Sequence, residues 1–201
     1  MSSTGKFIRA IAAGTTGLVR LQVARSPALV FATDAVGNSA LHIAIRRQRY
    51  DIASFLCKQG AKMSLQSAAA LGDVALVLDR LRQHPSLVSR RTADGWTATH
   101  LACYYGHPKV LAVLIAYGAD INATGPTGFG TPLHMAAAGG HATIIQLLLR
   151  HGASLDDQDS AGFNALEISL LTANDNAYSI LLEETARRRR GDHALTDSLS
   201  C

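Results

Sequence analysis

Between Ala93 and Ala153 the chain repeats itself. Asp94-Gly95-Trp96-Thr97-Ala98-Thr99-His100-Leu101-Ala102 is followed one period later by Gly130-Thr131-Pro132-Leu133-His134-Met135-Ala136. The offset that carries Thr97 onto Thr131 is 34 residues, and it also carries Ala102 onto Ala136, Gly106 onto Gly140, His107 onto His141, Leu114 onto Leu148, Gly118 onto Gly152 and Ala119 onto Ala153. A fixed period of this length restricts a chain to a solenoid of small modules, each sheltering its neighbour. A second offset, of 58 residues, relates an earlier pair of modules to the next pair: Gly14 to Gly72, Pro27 to Pro85, Gly37 to Gly95, His42 to His100, Leu56 to Leu114 and Gly60-Ala61 to Gly118-Ala119.

Local chemistry explains why these residue types recur. Thr131 is a favoured helix N-cap, and Pro132 occupies the first helical position, where a missing N–H costs nothing. Ala136, Ala137 and Ala138 give that helix a narrow side, and Gly139-Gly140 ends it through glycine's access to positive φ. A second helix is expected from Thr143 to Arg150, with Ile144, Ile145, Leu147, Leu148 and Leu149 as its apolar face and Gly152 as its stop.

Thr131-Pro132-Leu133-His134, Ala136-Ala137, Gly140-His141, Leu147-Leu148 and Gly152-Ala153 resemble the ankyrin repeat, a finger-like turn followed by two antiparallel helices. The resemblance implies an all-α solenoid whose usual work is binding other proteins, through finger tips and first helices that line a concave groove. Six modules are expected, at about 5–33, 34–62, 63–92, 93–123, 124–157 and 158–190, in one domain from 5 to 190 followed by a flexible tail, 191–201.

Departures from the pattern are informative. Almost nothing connects Gly60-Ala61 to the next first helix near Ser64, so the third module has lost its finger. Gly128 stands three residues before Thr131 instead of two, an insertion that should lift Phe129 out of the usual path. The last module keeps a cap in Asn164 but replaces proline by Ala165, histidine by Glu167 and alanine by Ser169, as befits a terminal module whose outer face meets water.

Composition narrows the function. The formal net charge is +4, but without Arg187, Arg188, Arg189 and Arg190 basic and acidic residues balance. Cys57, Cys103 and Cys201 form no C-x-x-C pair, which argues against a disulfide scaffold or zinc site and for a reducing compartment. Charges at Lys6, Arg9, Arg20 and Arg25 break up the first apolar stretch, so neither a targeting segment nor a membrane span is expected there. The expectation is a cytoplasmic monomer, or a nuclear one in a eukaryote, without cofactor.

No H-E-x-x-H, G-x-S-x-G or phosphate-binding loop is present, and no enzymatic activity is expected. His42, His100 and His134 share one position of the module and His107 and His141 another, the mark of capping or interhelical hydrogen bonds. What remains is surface. Five of the eleven aromatics, Trp96, Tyr104, Tyr105, Tyr117 and Phe129, fall between positions 96 and 129. Trp, Tyr and Arg dominate binding energy at interfaces. Trp96, Tyr104, Tyr105, Phe129, Arg46 and Arg47 are therefore the expected protein-binding residues, with packing under the finger as the other role open to Trp96. The alternative reading is a nucleic-acid or anionic-surface binder acting through Arg187 to Arg190, against a solvated helix end paired with Glu183 and Glu184.

Overall fold

The computed structural model describes residues 2–198, without the side chains of Thr127 and of 191–198. Among the described residues it has three short 3-10 turns (Pro27–Phe31, Pro85–Ser89 and Pro126–Gly128) and twelve α-helices: α1 (Ser3–Ala13), α2 (Thr16–Arg25), α3 (Ala40–Arg46), α4 (Tyr50–Lys58), α5 (Leu65–Leu71), α6 (Val74–Gln83), α7 (Ala98–Tyr104), α8 (Pro108–Ala116), α9 (Pro132–Ala138), α10 (Ala142–Arg150), α11 (Ala165–Leu171) and α12 (Asp175–Ser198). No strand forms among the described residues; the isolated bridges Thr33–Ser39 and Arg91–Thr97 close two finger turns. The fold is all-α and built from helix pairs, as the 34-residue period requires.

The chain divides into two compact units, Met1–Ala98 and Thr99–Cys201. In the first, α3 lies against α1, α4 and α5, and α5 against α6. Its fully buried side chains include Phe7, Ile11, Leu41, Ile45, Ile52, Leu56 and Leu81. In the second, α9 packs on α10 and α11, and α10 on α8 and α12, around Leu111, Leu114, Leu133, Ile144 and Ile145. Alanines make this approach possible. Ala44, Ala68, Ala69, Ala136 and Ala137 have no measurable exposure, so neighbouring first helices meet at the narrowest side chain that still favours a helix.

Helix ends follow the sequence signals. Ser39, Ser64 and Asn164 cap α3, α5 and α11 by accepting a backbone N–H three residues on, at 3.2, 3.1 and 3.0 Å. Glu167 reciprocates by accepting the Asn164 N–H at 2.8 Å, completing a capping box. Gly140, at φ 69°, reverses the chain between α9 and α10.

The backbone of α12 is helical past Gly191 to Ser198, and residues 199–201 of the expected tail, Cys201 among them, lie outside the described residues. The arginine run therefore sits inside α12, not at its end, and the expected C-terminal dipole does not act on it.

Candidate partner-binding surface

The second unit carries three of the candidate aromatic residues, Tyr104, Tyr105 and Phe129. Tyr104 is the last residue of α7, and His141, one module later, holds its carbonyl oxygen through Nε2 at 2.9 Å. The backbone is thereby pinned while the ring stays in solvent, 42 % exposed. Tyr105 meets that ring edge-on, centroids 5.1 Å apart at 85°. A T-shaped pair of this kind is among the preferred aromatic geometries, so the two rings hold each other in position.

Phe129 follows the short helical turn Pro126–Gly128 in the finger of the fifth module. Gly125 donates its N–H to the Gly130 carbonyl at 2.6 Å, and Gly128 and Gly130 both adopt positive φ, which only glycine does without strain. The extra residue is absorbed in this loop. Phe129 projects from it, 57 % exposed.

The first unit holds the remaining candidates. Arg46, the last residue of α3, forms an ion pair with Asp94, and Arg47 beside it is exposed. Trp96 is 9 % exposed and packs in the core of its unit, which favours the second of the two roles open to it, packing under its finger.

Two of the recurrent histidines, His134 and His141, bridge neighbouring modules. The Thr131 N–H donates to His134 Nδ1 at 3.0 Å, which leaves the proton on Nε2, and Nε2–H donates to the Phe163 carbonyl of the next finger at 3.1 Å. A single ring thus caps α9 and ties it to the module that follows. His42, its equivalent on α3, is equally buried, and desolvation holds its pKa below the usual 6.5 against the pull of Asp94. Burial likewise pushes the thiol of Cys103 far up, so it is an inert packing residue. Among the described residues no group of three His, Cys, Asp or Glu side chains is placed to hold a metal, and no helix is long and apolar enough to cross a membrane.

The arginine run is partly committed. Glu184 accepts from Arg187 Nε and Nη2 at 2.7 and 2.8 Å and from Arg188 Nε at 2.9 Å, and Arg188 Nη1 reaches the Ala153 carbonyl at 3.3 Å. Those bonds hold the Glu184 carboxyl at about 2. Arg189 and Arg190 are exposed.

Family models described as "Ankyrin repeats (many copies)" match residues 65–115 and 100–149, and one described as "Ankyrin repeat" matches 36–77. Similar proteins include BCL-6 corepressor-like protein 1 of Mus musculus, 37 % identical over 71 residues, 35 % of this chain and 4 % of that protein. NAD-capped RNA hydrolase NUDT12 of Homo sapiens is 35 % identical over 63 residues, 31 % of this chain and 14 % of that one. Ankyrin repeat domain-containing protein 40 of Mus musculus is 38 % identical over 56 residues, 28 % of this chain and 15 % of that one. The chain spans only a small part of these relatives' length, and what they share with it is the repeat. With helix pairs at the expected period, histidines that cap and bridge, and family matches running from residue 36 to 149, the chain belongs to the ankyrin-repeat family.

Proposed function

We propose that this protein is a non-catalytic interaction module that binds a partner protein through its fingers and first helices, with Tyr104, Tyr105 and Phe129 as the principal contacts. Ankyrin repeats are in general protein–protein interaction modules. The observation that carries the reading is the tyrosine pair: one backbone carbonyl fixed by His141, two rings bracing each other, and a Tyr104 ring in solvent that costs little entropy to immobilise. On the first unit, Arg47 is a separate candidate contact, and Arg46 is one only when it gives up Asp94.

The alternative, binding of an anionic surface through Arg187 to Arg190, has less behind it, because Glu184 neutralises part of the run. Affinity capture from native cells tests the proposal. Wild-type bait should retain a partner that the double variant Tyr104→Ala/Tyr105→Ala retains poorly, with the melting temperature unchanged. Equal capture by both baits overturns the tyrosine surface, and a capture that collapses steeply with salt and with deletion of Arg187 to Arg190 favours the alternative.

A further inference from the structure

The missing third finger leaves a cavity. Only residues 59–64 separate α4 from α5, whereas the modules on either side carry the turns closed at Thr33–Ser39 and Arg91–Thr97. Between those turns, inside the first unit, lies a space of about 700 Å³ lined by Asn38, His42, Lys62, Arg80, Arg90 and Arg91 among others. The two turns meet at its rim: a Cβ placed on Gly37 would lie 3.3 Å from that of Ala93.

Two nearly buried side chains that line this space each carry a buried atom with no hydrogen-bond partner. They are His42, through Nε2, and Asn38, through Oδ1, each residue 5 % exposed. The reason for the first is visible in the fifth module, where the equivalent His134 Nε2 donates to a carbonyl of the following finger. His42 has no finger directly following its own module, and Asp94 Oδ1 stands 3.6 Å away. In Asn38 the amide nitrogen donates to Asp34 Oδ2 at 3.2 Å, which makes the orphaned atom an acceptor. A buried polar atom left without a partner costs about 1–3 kcal/mol, so both sites favour a ligand that supplies one.

Charge adds the third requirement. Lys62, Arg80, Arg90 and Arg91 line the space, against two carboxylates at its edge, Asp94 beside His42 and Asp34 bonded to Asn38. Arg80 Nε is itself buried without a partner, while its Nη2 reaches the Met63 carbonyl at 3.4 Å. A fully deprotonated anion such as sulfate or a carboxylate would satisfy the cations yet offer no donor to Asn38 Oδ1. A polypeptide carries a carbonyl, an N–H and acidic side chains together.

We propose that the cavity takes an acidic polypeptide segment of a partner protein, laid in where the third finger is missing. A main-chain carbonyl meets His42 Nε2, a main-chain N–H meets Asn38 Oδ1, and Asp or Glu side chains meet Lys62, Arg80 and Arg90. This rests on the reading of the chain as a protein-binding module but uses a different surface from the tyrosines.

The test is selection of a displayed library of random linear peptides on the full chain, followed by calorimetry with the enriched peptides. Enriched sequences should be rich in Asp and Glu. The exposed double variant Lys62→Glu/Arg90→Glu should weaken them by about tenfold or more, and Lys62→Gln/Arg90→Gln by less in the same direction, with melting curves showing both variants folded. Tyr104→Ala/Tyr105→Ala should bind them as wild type does. The inference is overturned if no peptide is enriched, if enriched peptides lack acidic residues, or if the charge-reversed variant binds them equally well. It is also overturned if inorganic phosphate or a single-stranded oligonucleotide occupies the cavity and acidic peptides do not. A cavity that takes no peptide leaves the tyrosine-dependent capture standing, and a failed tyrosine capture leaves the peptide result standing.

Discussion

Arg46 and Asp94 are joined by an ion pair although 48 residues separate them, because the finger that belongs between their modules is absent. Asp94 also accepts a hydrogen bond from Thr92 Oγ1 at 2.6 Å, so its carboxylate is anchored within its own turn. Arg46 is half exposed, and pairs of this kind contribute little. Arg46→Ala should lower unfolding free energy by under about 1 kcal/mol in denaturant titrations, less at high salt.

The equivalent histidines should differ in weight. His134→Leu removes a cap and a bridge and leaves the Thr131 N–H and the Phe163 carbonyl without their partner, a loss of about 2 kcal/mol or more. His42→Leu removes an atom that has no hydrogen bond and should cost less than half as much. Urea unfolding of both variants decides it.

Acid should separate two groups. Desolvation keeps His42 below 6.5, opposed by Asp94 and Asp34 and assisted by Arg46. The unfolded chain therefore takes up that proton first, so stability is full above 6.5 and falls as pH drops through the folded value. Hydrogen bonds from Arg187 and then Arg188 outweigh desolvation at Glu184 and hold it at about 2, against the usual 4.5. Its contribution is present above 4.5 and is lost as pH falls towards 2. Relative to wild type, His42→Leu should flatten the upper slope and Glu184→Gln the lower one in unfolding free energies measured across pH.

Trp96→Ala should cost about 3 kcal/mol, as a buried aromatic does, whereas Tyr104→Ala should stay within about 1 kcal/mol. A binding defect in the first would come with a lowered melting temperature, and in the second without one.

Those two residues show where the sequence stopped being readable. Helix pairs, caps and the lost finger were legible because each rests on local chemistry: Ser, Thr or Asn at a cap, glycine at a reversal, a missing stretch between Ala61 and Ser64. Burial at the finger position shared by Asn38, Trp96 and Phe163 was not. The first two are buried and Phe163 is exposed, a difference set by what lies alongside each finger and not by the finger itself. Likewise the shortened link at Lys62 was visible, but Arg80 on α6 and Arg90 in the following link reach the same space only through the turn of the chain at Pro85–Ser89. Basic residues at both edges of a deleted finger were the signal available.

Gly128 should be the least replaceable glycine of the fingers. It adopts φ 79°, its carbonyl accepts the Ser160 N–H at 2.8 Å, and an added Cβ would lie 2.3 Å from that of Ser160. Gly118→Ala, at similar φ but in open space, should cost about 1 kcal/mol in denaturant melts, and Gly128→Ala distinctly more.

The six-residue link between α4 and α5 makes the protein amenable to a cis-acting plug. A turn grafted between Ala61 and Ser64 would supply from the same chain the carbonyl that His42 is missing, and would compete with any visiting segment at the effective concentration of a tether. Natural loss of that loop thus reads as an opened door, and its restoration as a built-in inhibitor whose strength is set by the length of the graft.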